Sequence, residues 1–171
     1  MAANISASAF PEPYFSEFSS KRTISINMPE QASIFRKDFT LDSIHQMGNG
    51  TLTEALGIQL TEIGSDFLRA TMPVDNRTKQ SMGILHGGAS VALAETIGSV
   101  AGYGTLDPAR QYCVGLEINA NHLRSIASGF VTAECKPVHL GRKTQVWDIR
   151  ITDERNKLIC ISRLTLAVLD R

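Results

Sequence analysis

The segment from His86 to Gly102, His-Gly-Gly-Ala-Ser-Val-Ala-Leu-Ala-Glu-Thr-Ile-Gly-Ser-Val-Ala-Gly, limits what this chain can become more than any other. It is apolar and built almost wholly of small residues, so a sheet can close tightly against it as a helix. One ionisable group, Glu95, stands near its middle. A carboxylate in such surroundings is desolvated, which is costly for the ionised form unless it is partnered. The same desolvation prepares a glutamate to act as a base or nucleophile. His86 and the Gly87-Gly88 pair open the helix, where unpaired N–H groups and the positive end of the helix dipole hold a developing negative charge. An acid in an apolar helix with an anion site at its start implies chemistry on a carbonyl. The window 84–106 is not read as a membrane span, because Glu95 would lie at the bilayer centre.

The elements around this helix set the fold class. Leu41, Ile44 and Met47 share one helical face, stopped by Gly48-Asn49-Gly50, which predicts a short helix over 41–47. Two strand-like runs follow, 55–63 and 67–74, divided by the hairpin signal Gly64-Ser65-Asp66. The central helix is expected over 88–103. Beyond Asp107-Pro108 four β-branched or apolar runs, 112–121, 130–139, 145–152 and 158–169, are separated by short polar gaps. Two strands, one long helix and four strands imply an α+β domain with one antiparallel sheet wrapped around the helix. Residues 1–38 are Ser-rich with Pro11 and Pro13 and read as a disordered or loosely docked tail, leaving 39–171 as the folded domain.

Composition narrows the function classes. The 171 residues, 43% of them hydrophobic, suit a single domain with a core. Lysine plus arginine equals aspartate plus glutamate at 17 each, so bulk charge offers no reason to bind nucleic acid or an acidic membrane. Cys113, Cys135 and Cys160 are an odd number without a C-x-x-C motif, which favours reduced, packed thiols in a cytosol-like compartment. The first residues lack the apolar run of a signal peptide, Glu12 and Glu17 precede the first basic residues, and the last three are no peroxisomal address, so a cytoplasmic location is expected. His45, His86, His122 and His139 lack ligand spacing; no metal and no cofactor are expected.

Gln80 through Gly102 resembles the active-site segment of the hotdog-fold thioesterases. The similarity continues through Thr71–Asp75, Val114–His122 and Lys136–Arg142, and spans roughly residues 40–169. The subgroup it resembles acts on aryl-CoA thioesters and includes 4-hydroxybenzoyl-CoA, 1,4-dihydroxy-2-naphthoyl-CoA and enterobactin-pathway proofreading enzymes, with the dihydroxynaphthoyl-CoA members, and so menaquinone biosynthesis, nearest. Ser81 stands where many relatives have proline. The resemblance implies the hotdog fold, an acyl-CoA substrate and a homo-oligomer, at least a dimer and as a dimer of dimers a tetramer. It makes Glu95 the catalytic carboxylate, either attacking the thioester or activating a water. Gly87 N–H would polarise the carbonyl oxygen with help from Gln80, Ser99 would hold the carboxylate or a water, and His86 would lie near the thioester. Gly115, His122, Leu123, Arg124 and Ser125, and the basic turn His139, Leu140, Gly141, Arg142, Lys143 and Thr144, would hold pantetheine and nucleotide.

Each residue also has a plainer reading. Glu95 is then a buried acid satisfied by nearby hydroxyls, Gly87 a helix cap, Ser99 a small packing residue, His86 a loop-organising hydrogen bond, and the cations solvated turn charges. Competing functions are a proofreading thioesterase acting on carrier-protein thioesters and a non-catalytic acyl-CoA-binding module; the hotdog dehydratases are disfavoured by the lack of their His-x-Pro-rich loop. Spacing adds a constraint on the assigned roles. Gly87 and Glu95 are eight residues apart, about 12 Å along one helix, whereas reacting groups must approach within about 3–3.5 Å. The two ends must come from different chains, with their helices side by side in opposite senses.

Overall fold

The computed structural model describes residues 32–171. Their order is α1 (Leu41–Gly48), α2 (Leu52–Ala55), β1 (Gln59–Ile63), β2 (Leu68–Pro73), α3 (Gly87–Gly104), β3 (Gln111–His122), β4 (Phe130–Leu140), β5 (Thr144–Asp153) and β6 (Leu158–Asp170). The strands form one six-stranded antiparallel sheet in the order β1-β2-β4-β5-β6-β3. The α+β expectation of a sheet curved around one long helix is met. The crossover through α3 carries the chain to the far edge, so β3 pairs with β6 rather than with a sequence neighbour.

Alternation along the strands builds the core. Leu68, Ala70 and Met72 of β2, Val131, Ala133 and Cys135 of β4, Trp147, Ile149 and Ile151 of β5, and Leu164, Leu166 and Val168 of β6 all point inward. Against them α3 buries Leu93, Ala94, Ile97 and Ala101. Small residues set how closely the helix lies. A Cβ added to Gly98 would sit 2.5 Å from Leu164 Cδ2, and one on Gly102 would collide with Leu166. At the far end of α3 a buried polar chain ties helix to sheet: Trp147 Nε1 donates to Gln145 Oε1 (3.1 Å), Gln145 Nε2 to Thr105 Oγ1 (2.9 Å), and Thr105 Oγ1 to the Gly102 carbonyl (2.8 Å).

Three local expectations change. Residues 55–58 do not extend β1. Thr51 instead caps a one-turn helix, its Oγ1 accepting from Thr53 N (3.2 Å), while Glu54 accepts from Gly50 N (2.6 Å) and Gly57 ends the turn at φ 68°. The Thr-x-x-Glu spacing of a capping box was present in the chain and outweighs the apolar run. Packing also begins ahead of residue 39. Phe35 and Phe39 are buried and stacked, with centroids 5.2 Å apart, against Gly104. Arg36 lays its guanidinium over the Tyr103 ring and donates Nη1 to the Tyr103 carbonyl (2.6 Å), a cation at the C-terminal end of α3. The rest of the expected tail, residues 1–31, lies outside the described residues. Finally, α3 starts one residue earlier and ends one later than expected.

The Gly98 contact yields a stability test. Gly98→Val pushes a branched side chain into fully buried Leu164 and is expected to cost about 1–3 kcal/mol by overpacking. Denaturant titration of Gly98→Val, Leu164→Ala and the double variant should show the double losing less than the two singles combined, the mark of a direct contact.

Candidate active site

The start of α3 is held open by its own cap. His86 is the N-cap residue, and its Nδ1 accepts from Gly88 N (2.8 Å). With Nδ1 an acceptor, the neutral imidazole carries its proton on Nε2. The amides of Ala89 and Ser90 both reach the His86 carbonyl. Among the described residues Gly87 N–H has no acceptor, which leaves it as the free donor of the first turn. Upstream, Gln80 Oε1 accepts from Met82 N (2.8 Å), so its amide oxygen is engaged while its nitrogen has no acceptor among the described residues.

This end of the helix opens onto a cavity of about 710 Å³ lined by Gln80, Ser81, His86, Gly87, Ser90, His122, Leu123, Arg124 and Ser125, with Ile84, Leu85 and Ile159 as its apolar wall. His122, the last residue of β3, comes so near that a Cβ on Gly87 would lie 2.8 Å from its Nε2. A side chain at position 87 would therefore block both the free amide and the imidazole. Ser90, buried and facing this cavity, was missed by sequence reasoning; its position one turn after the cap was the available signal.

Glu95 occupies a second place. Ser99 Oγ donates to Glu95 Oε1 at 3.0 Å, one turn along the helix. The carboxylate faces Gly115 of β3, where an added Cβ would lie 2.8 Å from Oε1. Beside it, burial and then the charge of Glu95 push the Cys113 thiol above its usual range. Glu95 is only half-buried, a correction to the desolvated carboxylate expected from its apolar neighbours. Val91, Ala92, Glu95, Thr96, Ser99 and Val100 lie on the half-open side of α3, half-buried, with the Glu95 carboxylate turned toward the edge strand β3.

The residues implied for coenzyme A binding divide between two ends. His122, Leu123, Arg124 and Ser125 line the cavity at the N-terminal end of α3. His139 and Leu140 end β4, Gly141, Arg142 and Lys143 make the β4–β5 turn and Thr144 opens β5, beside the C-terminal end of α3, where Gln145 meets Thr105. There Gly141 N donates to the Thr144 carbonyl (2.9 Å) and Lys143 pairs with Asp170 (3.1 Å). Within one chain these two groups are not brought together, and neither Glu95 nor Gly115 lines the cavity. Among the described residues no cluster of His, Cys, Asp or Glu is arranged to hold a metal ion, and no helix is long and apolar enough to cross a membrane.

The family model of the thioesterase superfamily matches residues 82–160. Over 136 residues the chain is 55% identical to the 1,4-dihydroxy-2-naphthoyl-CoA hydrolase of Escherichia coli, covering 80% of this chain and 99% of that protein. It is 51% identical to the proofreading thioesterase EntH of Cronobacter turicensis, over 80% of this chain and 98% of that one. The crystal structure of a thioesterase from Haemophilus influenzae matches with a TM-score of 0.78 at 52% identity, covering 80% of this chain and 95% of the other. The matched block runs from the cavity loop through α3 into β6, and the relatives match over nearly their whole length: the chain belongs to the thioesterase superfamily and is a hotdog-fold thioester hydrolase.

Proposed function

We propose that this enzyme hydrolyses the coenzyme A thioester of an aromatic acid, with 1,4-dihydroxy-2-naphthoyl-CoA the foremost candidate, at sites shared between two copies of the chain. The observation that carries the reading is the free Gly87 amide at one end of a helix face whose middle presents Glu95, oriented by Ser99. Eight residues of helix, about 12 Å, keep the two apart in one chain. Two α3 helices running in opposite senses, with Gly87 of one beside Glu95 of the other, bring both to one thioester and place Val91 against its own copy at the two-fold axis. β3 supports such a neighbour: it is a 12-residue edge strand with Val114 and Leu116 exposed.

In this arrangement Gly87 N–H, with the Gln80 amide and His86 Nε2–H beside it, holds the thioester oxygen as it gains charge. Glu95 of the second chain either attacks the carbonyl carbon, releasing the thiolate and leaving an anhydride that water opens, or takes a proton from the attacking water. Each route ends in the free acid and the CoA thiol. Arg124 and the turn around Arg142 supply the cations that the phosphates of coenzyme A require. Reduced Cys113, Cys135 and Cys160 suit a cytoplasmic setting. A second reading, proofreading of carrier-protein thioesters, is favoured by the 51% identity to a proofreading thioesterase. A hydrolysis screen over naphthoyl-, benzoyl- and fatty acyl-CoA, with matched carrier-protein thioesters, decides between them; faster turnover of the carrier-protein thioester would make proofreading the primary function.

Glu95→Ala should lower kcat by at least ~10²-fold, the usual scale of a lost general base or nucleophile, with the fold retained. More than about a tenth of kcat remaining, with chemistry rate-limiting, removes Glu95 from the mechanism. Arg124→Ala or Arg142→Ala should raise KM more than it lowers kcat, and the effect should shrink on a truncated pantetheine thioester, because phosphate contacts hold substrate and transition state alike. The shared site is checked by mixing two inactive variants, Glu95→Ala and the Gln80→Ala His86→Ala double variant. A mixed dimer receives both defects in one site and none in the other, so random refolding should restore about a quarter of wild-type activity. No recovery, with mixed dimers verified by native mass spectrometry, refutes it.

A further inference from the structure

The loop that brings Gln80 and His86 to the cavity both leaves and returns at one buried residue. Thr78 is 1% exposed although polar. Its hydroxyl donates to the carbonyl of Pro73, the last residue of β2, at 2.7 Å, and accepts from Asp75 N at 3.1 Å. Its amide donates to the Asp75 carbonyl (3.0 Å), and its own carbonyl accepts the amide of His86 (2.8 Å). Residues 79–85 therefore form a loop whose two ends, Lys79 by covalent bond and His86 by hydrogen bond, are both attached to Thr78. Within it Gln80 N bonds the Ile84 carbonyl (2.9 Å) and Lys79 bridges to Leu85, so the base of the loop is narrow. A second tether, from Leu85 N to the Ile126 carbonyl, holds its outer side (2.8 Å). The turn ahead is braced too: Arg77 clasps the Asp75 carboxylate by side chain and backbone and keeps it ionised, down to about 2.

From this chain of contacts we infer that Thr78 is a positioning residue for hydrolysis: its hydroxyl pins to the sheet the loop that aims Gln80 and His86 at the thioester oxygen. The inference rests on the shared-site reading above and adds the group that sets its geometry. Two backbone partners in the sheet-to-loop corner depend on that hydroxyl. Removing it leaves the Pro73 carbonyl and the Asp75 amide without the bonds they now make, and such groups move to find replacements. The N-cap moves with them, because His86 N is bonded to Thr78. A displacement of about 1 Å at reacting groups is enough to cost on the order of 10²-fold in rate. The cations proposed for the substrate phosphates, Arg124 after β3 and Arg142 in the β4–β5 turn, are carried by other segments than this loop, so affinity should be little affected.

Thr78→Val keeps shape and volume but removes the hydroxyl; Thr78→Ser keeps the hydroxyl but removes the methyl group. On the preferred CoA thioester, Thr78→Val should lower kcat at least ~10-fold with KM within about threefold, and Thr78→Ser should stay within about threefold of wild type in both. Equal impairment of the two variants, or an unchanged kcat in Thr78→Val, overturns the assignment. Mixed dimers give a readout that a loss of general stability would not produce. Thr78→Val refolded with Glu95→Ala should regain activity, since one site then has an intact carboxylate and an intact oxyanion end. Refolded with the Gln80→Ala His86→Ala variant it should regain none, because every site then has a damaged oxyanion end. If the first mixture stays inactive while Glu95→Ala with Gln80→Ala His86→Ala recovers, the role of Thr78 is refuted and the shared site stands. If that reference mixture also stays inactive, both are refuted.

Discussion

The close approach of α3 to the sheet is the constraint on which the rest depends. Gly98 and Gly102 let the helix settle onto Leu164 and Leu166 with no side chain between them, and the apolar face formed by Leu93, Ala94, Ile97 and Ala101 leaves the helix no other orientation that buries it. Once rotation about the axis is set, so is the set of residues that remain uncovered. Glu95 and Ser99 stand half-buried toward the edge strand β3, on the half-open side, because Leu93, Ala94, Ile97 and Ala101 have claimed the other. The catalytic candidate is therefore oriented by apolar contacts on the opposite side of the same helix.

The open side is also where one chain falls short. A free amide at the helix start and a carboxylate two turns along it are each well formed, Gly87 by the His86 cap and Glu95 by the Ser99 hydroxyl, yet they point to places one small carbonyl group cannot occupy together. The candidate phosphate-binding groups are divided in the same way, between the end of β3 and the β4–β5 turn. The second copy proposed above, in the opposite sense, would set Glu95 of one helix beside Gly87 of the other and would leave the basic turn of each chain on the side of its partner's N-terminal end.

Much of this was legible in the chain because it is local. Alternation marked five of the six strands to within a residue, small-residue content marked the central helix, and the spacing of Gly87, Glu95 and Ser99 along one helix already determined their relative positions. What escaped depends on distant partners or on side chains bonding backbone. The pairing of β3 with β6 follows from the crossover, so the split of the basic residues between two ends of α3 could not be seen before the strand order was known. The one-turn helix at 52–55 hides an apolar run behind a cap, and Phe35 enters the core only because Gly104 makes room for it. Thr78 carries no periodic signal, since its place rests on hydrogen bonds to Pro73 and Asp75, and Ser90, one turn after the cap, is marked out only by the cavity wall it joins.

Trp147 has a practical consequence. It is the only tryptophan in the chain, fully buried, and its indole N–H is engaged by Gln145 in the polar chain that ties the C-terminal end of α3 to the sheet. The cavity with Gln80, His86 and Gly87 lies at the other end of that helix. Its intrinsic fluorescence is thus a built-in optical probe of the anchored end: quenching or a red shift reports water reaching the inner face of the sheet.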